Sequence, residues 1–149
     1  QEVKSLVAID FDPIFVNDVN KRMTDKWEYK CLEHDIISGP VIGKFDSAFS
    51  LDVLEHISPE NENKFIKNIS KSLDSKGVLV IGTPSIYSQK FASKQSLEGH
   101  INCKNAEQLR ELMSNHFKNV FIFSMNDEVV HTGFYPMAHY YFALACRPK

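Results

Sequence analysis

Short apolar runs alternate with segments of helical periodicity along most of the chain. The runs are typical of buried strands, and the periodic segments are typical of amphipathic helices. An alternating order of this kind predicts an α/β fold with a mostly parallel sheet and helices on both faces. The predicted strands are Val3 to Asp10, Trp27 to His34, Phe45 to Leu51, Val78 to Gly82, Val120 to Met125 and Tyr140 to Cys146.

Capping residues mark the starts of the predicted helices. Asp12 and Ser58 are good N-caps, and each precedes a proline, which the first helical turn tolerates. Asn105 with Gln108 is typical of a capping pair. The residues from Asp74 to Gly77 are predicted to form a turn. The predicted helices run from Pro13 to about Thr24, from Pro59 to about Leu73 and from Asn105 to near His116.

Two segments in the second half of the chain lack a clear period. The segment from Ile86 to Cys103 is long enough to be a functional loop or lid that contains a short helix. The segment from Asn126 to His139 joins the last two predicted strands. We therefore expect a long antiparallel hairpin at the end of the chain.

Composition narrows the classes of function. At 149 residues the chain has the size of one domain, and its formal charge of −2 gives no electrostatic case for nucleic acid or an anionic membrane as a partner. Its three cysteines lie far apart without paired spacing, which argues against a disulfide framework and against a metal site. His100 and Cys103 would need two more ligands to hold a metal ion. A reducing cytoplasm is the expected compartment.

Candidate chemistry lies where the predicted strands end. In open α/β sheets, ligands bind outside the carboxyl ends of the strands. Asp10, Asp35 and the segment from Ser50 to His56 stand at such ends. A carboxylate at Asp10 can accept two hydrogen bonds from a ribose diol. The alternative for Asp10 is a helix cap, a role that Asp12 fills better, and the alternative for Asp35 is a solvated loop carboxylate.

Motifs in the middle of the chain resemble a known family. Phe45-Asp46, an apolar run and Val53-Leu54-Glu55-His56 are followed by the segment from Gly77 to Ser85. In this order they resemble the fourth- and fifth-strand segments of class I S-adenosylmethionine-dependent methyltransferases, and the resemblance covers nearly the whole chain. It implies a Rossmann-like fold and S-adenosylmethionine as the cofactor. The implied cofactor-binding residues are Asp10 and Phe11 at the ribose, Asp35 and Ile36 at the adenine, Ser50, Leu51 and Asp52 along the methionine portion, and His56.

His56 has a second interpretation of equal weight, a structural hydrogen bond at the start of the next helix. The chain also departs from the family pattern, because the family's first strand and its glycine-rich loop should precede Val3. We therefore expect one methyltransferase-like domain over residues 1–149 that is incomplete at its N-terminus or has lost the loop. The absent strand would lie between the strands that end at Asp10 and Leu51. These two strands are predicted to pair directly, or another chain, as in a homo-oligomer, covers their exposed edges.

Methyl transfer mainly needs an acceptor held in line with the activated methyl group. A hydroxyl acceptor benefits from a general base, and histidine suits that role near pH 7. His100, in the loop after Ser85, is the first candidate base, and His131, in the final hairpin connection, is the second. Loop and hairpin together resemble those of methyltransferases encoded with surface-polysaccharide enzymes. The resemblance implies a small polar acceptor, such as a sugar or nucleotide-sugar hydroxyl.

Two other functions remain open. A non-catalytic relative that keeps the sheet as a binding or dimerisation module is favoured by the absence of the glycine-rich loop. A nicotinamide-dependent oxidoreductase is the second alternative, because Asp10 at a strand end would suit NAD equally well. The antiparallel pair at the end of the chain and the Val53-Leu54-Glu55-His56 motif argue against the oxidoreductase.

Overall fold

A computed structural model of the chain describes residues 3–23, 28–127 and 129–149. The strands in these residues are β1 (Ser5–Asp10), β2 (Glu28–Glu33), β3 (Phe45–Leu51), β4 (Leu73–Pro84), β5 (Phe117–Asn126), β6 (Val129–His131) and β7 (Tyr140–Pro148). The helices are α1 (Pro13–Arg22), α2 (Glu62–Ser72), α3 (Lys94–Gly99) and α4 (Ala106–His116), with short 3-10 helices at Leu54–His56, Ile86–Phe91 and Tyr135–Met137. Within these described ranges, no helix has both the length and the apolar content that crossing a membrane requires.

The described strands form two sheets. β1 pairs in parallel with β2, and the larger sheet has the strand order β3-β4-β7-β5-β6. β3 and β4 are parallel, whereas β7 lies antiparallel between β4 and β5. The α/β fold and its closing antiparallel pair are therefore confirmed, although the larger sheet is mixed where a mostly parallel one was predicted: three of its four described strand pairings are antiparallel. The sequence pattern missed β6, because Val129–His131 is too short a run to stand out from the connection around it.

The hydrophobic core lies between α2, α4 and the central strands of the larger sheet. Apolar residues recur every three or four positions in both helices, so each helix presents one apolar face to the sheet. Burial of each large apolar side chain contributes roughly 1.5–3 kcal/mol by removing its surface from water. The principal buried residues are Phe65, Ile66 and Ile69 of α2, Leu109, Leu112 and Met113 of α4, and Leu79 and Ile81 of β4.

The start of α2 was predicted too early. The helix begins at Glu62 rather than at Pro59, and its N-cap is Asn61 rather than Ser58. The reason is a turn that precedes the helix in the chain, in which the Asn61 amide donates to the Ser58 carbonyl oxygen over 2.8 Å. The Asn61 side chain donates in turn to the Ser58 hydroxyl, so neither side chain caps the helix.

The start of β4 was predicted too late. The strand begins at Leu73, which pairs with Phe45, and its register then shifts so that Val78 pairs with Ser47. Residues 74–77 bend outward between these two pairs. The predicted turn is therefore an irregularity inside the strand, and the segment predicted from Ile86 to Cys103 as a loop with a short helix does contain α3.

The prediction that β1 and β3 pair directly is wrong in the described part of the chain, since they belong to different sheets. Hydrogen bonds to α2 hold the connection from β2 to β3. Asn68 Nδ2 donates to the Ile36 carbonyl oxygen over 2.8 Å, and the Val41 amide donates to Ser72 Oγ over 2.9 Å. These contacts hold the connection against α2. In this arrangement β1 and β3 are not paired. Another chain as the partner of these edges stays a prediction.

The caps of α1 and α4 are confirmed. The Asp12 carboxylate accepts a hydrogen bond from the Ile14 amide, and Asn105 and Gln108 form a complete capping box. α1 ends at Arg22, while the predicted helix end at Thr24 lies outside the described residues, as does the predicted strand start at Trp27.

Loss of the capping box should destabilise the fold measurably. Asn105→Ala leaves the Gln108 amide without its side-chain acceptor at the start of a core helix, and we expect the free energy of unfolding to fall by about 1 kcal/mol. Urea unfolding followed by circular dichroism measures this. Asn115→Ala, an exposed position in the same helix, is the matched control and should change stability by less than about 0.5 kcal/mol. Equal effects of the two substitutions would contradict the capping argument.

Candidate functional site

The carboxyl end of β3 meets the carboxyl end of β4. The Asp52 amide donates to the Gly82 carbonyl oxygen over 3.1 Å, and Asp52 has a positive φ of 55°, which turns the chain sharply away from the sheet. Tyr140 of β7 approaches this turn. Burial, and then the negative charge of Asp52 and its hydrogen bond, raise the pKa of the Tyr140 phenol above its ordinary value. A Cβ at Gly82 would lie 2.6 Å from the Tyr140 hydroxyl and 2.7 Å from Leu51 Cδ2, so only glycine fits.

Leu51 and Asp52 are exposed at this turn, and Ser50 is half-buried just before them. The three residues predicted to lie along the methionine portion of the cofactor therefore present an accessible surface at the end of β3. Their role stays a prediction.

Asp10 ends β1 with its side chain folded back onto the backbone. Asp10 Oδ1 accepts a hydrogen bond from the Asp12 amide over 2.8 Å. Asp12 itself caps α1, so Asp10 is not needed as the helix cap. Phe11 follows with its side chain 77% exposed. The hydrogen bond to the Asp12 amide uses Oδ1, and among the described residues none is recorded as a hydrogen-bond partner of Oδ2. A ribose-binding role for Asp10 stays a prediction.

Asp35 and Ile36 follow β2. The Asp35 side chain is exposed, and its Oδ1 accepts a hydrogen bond from the Ile37 amide over 2.9 Å. Ile36 is half-buried and packs against the hydrophobic core. These surroundings are those of a loop carboxylate in water, which is the alternative prediction for Asp35. Its role at an adenine ring stays a prediction.

Glu55 is the most unusual residue of the site. It lies in the 3-10 helix after β3, and its side chain is only 1% exposed. Glu55 Oε2 accepts a hydrogen bond from Thr83 Oγ1 over 3.1 Å, whereas Glu55 Oε1 has no hydrogen-bond partner among the described residues. Burial, and next the negative charge of Glu55, raise the pKa of the Cys103 thiol to about 11. A carboxylate this deeply buried is costly unless its charge is compensated.

Two histidines stand beside Glu55. His56 Nε2 lies 3.9 Å from Glu55 Oε1, and His56 Nδ1 lies 2.9 Å from the Gly99 carbonyl oxygen. His100 Nδ1 lies 3.0 Å from Gln89 Oε1. The two imidazole rings meet edge to face, with centroids 5.1 Å apart. The contact of His56 is with the end of α3, not with the start of the next helix, α2, and its role at the cofactor stays a prediction.

Glu55, His56 and His100 form a cluster in which one ligand atom from each lies within 4.8 Å of the others, a group that could hold a metal ion. Glu55 and His56 belong to the Val53-Leu54-Glu55-His56 motif, but their proximity to His100 was not predicted. No local spacing connects these residues, since the segment that carries His100 has no period. Only the folded position of that segment against β4 brings them together.

His131 lies apart from this cluster. It belongs to β6 and pairs with Ser124, which pairs with Tyr141, which in turn pairs with Thr83. Three strand spacings separate His131 from Thr83, roughly 14 Å across the sheet. The structure thus brings His100 to the ends of β3 and β4 and leaves His131 at the opposite edge of the larger sheet. The catalytic role of either histidine stays a prediction.

Comparison with known proteins identifies the family. Residues 1–81 match the family model of a methyltransferase domain, which is more than half of the 149-residue chain. The chain belongs to the methyltransferase domain family. The match runs from the residues before β1 into β4, so it covers the strands whose ends carry Asp10, Asp35 and Asp52.

A curated protein is also similar to this chain. The carboxy-S-adenosyl-L-methionine synthase of Ruthia magnifica subsp. Calyptogena magnifica is 27% identical over an alignment of 111 residues, which covers 72% of this chain and 45% of the synthase. The chain thus spans somewhat less than half the length of that relative.

Solved methyltransferase structures share the fold. The N-methyltransferase NodS from Bradyrhizobium japonicum WM9, in complex with S-adenosyl-L-homocysteine, has a TM-score of 0.65 and 19% identity, covering 98% of this chain and 68% of NodS. The magnesium protoporphyrin IX methyltransferase of Synechocystis PCC 6803, with bound S-adenosyl-L-homocysteine, has a TM-score of 0.69 and 14% identity, covering 96% of this chain and 64% of that enzyme. At these identities the similarity establishes the fold.

The hydrogen bond between Thr83 and Glu55 should matter for stability. Thr83→Val keeps the shape of the buried side chain but removes the donor to Glu55 Oε2. We expect a loss of about 1–3 kcal/mol in the free energy of unfolding, because the carboxylate keeps its burial and loses its partner. Urea unfolding at neutral pH measures the loss. Thr132→Val, at an exposed threonine, is the control and should be nearly neutral. A neutral Thr83→Val would show that Glu55 is solvated by another route.

Proposed function

We propose that this chain is the cofactor-binding part of an S-adenosylmethionine-dependent methyltransferase that acts on a small polar acceptor. The observation that carries the proposal is the family match over residues 1–81. That stretch contains β1, β2 and β3, with Asp10, Asp35 and Asp52 at or just beyond their carboxyl ends. Ligands of open α/β sheets bind outside such ends. The two solved methyltransferases named above hold S-adenosyl-L-homocysteine, and the curated relative is a carboxy-S-adenosyl-L-methionine synthase, which supports a cofactor of this type here.

Asp10 is the proposed ribose ligand. Its Oδ1 is fixed by the Asp12 amide, so the carboxylate is oriented before a ligand arrives. An oriented carboxylate can accept from both hydroxyls of a ribose without losing further side-chain entropy. Phe11, largely exposed beside it, offers apolar surface to the same ligand. Asp35 and Ile36 would then meet the adenine.

His100 is the proposed general base for a hydroxyl acceptor. Gln89 Oε1 only accepts hydrogen bonds, so His100 Nδ1 carries the proton and donates across the 3.0 Å contact. In the neutral ring, Nε2 is then the free acceptor nitrogen, as a base requires. His131 is the second candidate, although its position at the far edge of the sheet gives it less support. The acceptor proposed from the loop and hairpin resemblance is a sugar or nucleotide-sugar hydroxyl.

A non-catalytic binding or dimerisation module is the second candidate function. The observation that favours it is the separation of β1 and β3 into two sheets. Phe49 is 65% exposed and Leu51 is 44% exposed on β3, so an apolar strand surface faces outward in the isolated chain. Edges of this kind pair readily with a strand from another molecule. A second copy of the chain would cover both edges without any methyl transfer.

Calorimetric titration of the protein with S-adenosylhomocysteine tests the cofactor proposal. We expect micromolar binding, and no binding of NAD at the same concentrations. Asp10→Asn should weaken binding by about 10- to 100-fold, because hydrogen bonds to a charged group contribute roughly 1.5–3 kcal/mol. Asp74→Asn, an exposed position at the amino end of β4 and away from the carboxyl ends of the strands, is the matched control and should bind as the unmodified protein does.

The outcomes separate the candidates. A folded protein that binds neither ligand would overturn the cofactor proposal and leave the binding module. Binding that Asp10→Asn does not weaken would overturn the ribose assignment alone. Tighter binding of NAD than of S-adenosylhomocysteine would favour the oxidoreductase alternative over both.

A further inference from the structure

We propose that Glu55, His56 and His100 form a binding site for one divalent first-row transition-metal ion. The ligand atoms would be Glu55 Oε1 and the Nε2 atom of each histidine. One ligand atom from each residue lies within 4.8 Å of the others, and Glu55 Oε1 and His56 Nε2 are 3.9 Å apart. Bonds of ~2.1 Å place the ligands of a tetrahedral ion roughly 3.4 Å apart. Glu55 Oε1 and His56 Nε2 are thus about 0.5 Å farther apart than an ion requires, and the three ligand atoms would draw together as it binds.

The hydrogen bonds of the two histidines prepare them as ligands. His56 Nδ1 and His100 Nδ1 each contact an oxygen that only accepts, the Gly99 carbonyl and Gln89 Oε1 respectively. Both Nδ1 atoms must therefore carry protons, which leaves the Nε2 lone pairs free in the neutral rings. Metal-binding histidines characteristically donate their second ring N–H to a carbonyl or carboxylate, which fixes the tautomer and the orientation of the ring.

Glu55 supplies an independent observation. Its side chain is 1% exposed, and its Oε1 has no hydrogen-bond partner in the described ranges although it lies beside two imidazole rings. The nearby cation Lys104 is engaged elsewhere, since its Nζ lies 2.6 Å from Glu62 Oε2 and 3.0 Å from Asn102 Oδ1. A metal ion at Oε1 would satisfy the orphaned oxygen and compensate the buried charge together.

The donor set selects the class of ion. Two imidazole nitrogens and one carboxylate oxygen suit Zn²⁺, Co²⁺, Fe²⁺ or Mn²⁺ better than Mg²⁺ or Ca²⁺, which prefer all-oxygen sites. Three protein ligands leave coordination positions open, as in metal sites that bind a substrate. His56 is half-exposed, so the site is open to an incoming ion.

One consequence rests on the proposed function. A metal ion bound at His100 Nε2 occupies the lone pair that a general base would use, so His100 would position the ion instead of removing a proton. An acceptor hydroxyl bound at an open position would be acidified by the ion. Metal binding by the protein needs neither the cofactor nor an acceptor, so it can be tested without them.

Titration of the chelator-treated protein with Co²⁺, by calorimetry and visible absorption, tests the site. We expect one ion per chain, d–d absorption bands, displacement by Zn²⁺, and much weaker binding of Mg²⁺. Glu55→Gln, His56→Ala and His100→Ala should each weaken Co²⁺ binding at least 10-fold. His139→Ala, an exposed histidine outside the cluster, is the matched control and should bind Co²⁺ unchanged. Thermal unfolding without metal checks that each variant is folded.

The proposal is overturned if the folded protein binds no Co²⁺ or Zn²⁺, or if His56→Ala and His100→Ala bind like His139→Ala. It is also overturned if Cys103→Ser abolishes binding while His56→Ala leaves it intact, because the ion would then be held by the thiol. Failure of S-adenosylhomocysteine binding would leave the metal result standing, and absence of metal binding would leave the cofactor proposal standing.

Discussion

The buried carboxylate of Glu55 is the constraint on which the carboxyl end of the larger sheet depends. A carboxylate removed from water costs several kcal/mol unless donors or cations meet it. Thr83 at the end of β4 meets Oε2, and the amide of Asn102 donates to the Glu55 carbonyl oxygen over 3.0 Å. The end of β4 is thus tied to the Glu55 side chain, and the segment before α4 is tied to the Glu55 backbone. A shift of β4 would leave Oε2 without its donor.

The same network reaches the hydrophobic core. Asn102 Nδ2 donates to Glu62 Oε2 over 2.9 Å, and Lys104 pairs with the same oxygen in a contact where both side chains are largely shielded from water. Glu62 opens α2, whose apolar face packs in the core. The segment that carries His100 therefore takes its position from a core helix through buried polar contacts. A long segment without its own apolar face acquires a fixed geometry in this way, which is what holding His100 beside His56 requires.

Local patterns were enough to predict most of the fold and part of the candidate site. The run from Val78 to Gly82 and the Asn105 and Gln108 pair each act over a few residues, and the structure has a strand and a capped helix there. Asp10 was singled out because strand ends are visible in the sequence. The neighbours of His100 were not visible, because Glu55 and His56 are more than 40 residues away in the sequence and meet it only in the folded chain. The start of α2 was wrong for a different, local reason, since hydrogen bonds between Asn61 and Ser58 form a turn where the helix was predicted to begin.

The two candidate sites lie on sheets that differ in size and in how much of the hydrophobic core packs against them. β1 and β2 form a two-stranded sheet, and such sheets are marginally stable without further packing. Asp10 stands at the end of that sheet, whereas Glu55, His56 and His100 are attached to the main core. A ligand held by Asp10 therefore meets an oriented carboxylate on the less extensively packed sheet, and it stabilises that sheet as it binds. An ion held by the Glu55 cluster meets residues that the main core already brings together, although their ligand atoms still draw closer on binding. The cluster can thus bind its ion whether or not β1 has found a further strand partner, while cofactor affinity should rise once β1 and β3 are covered.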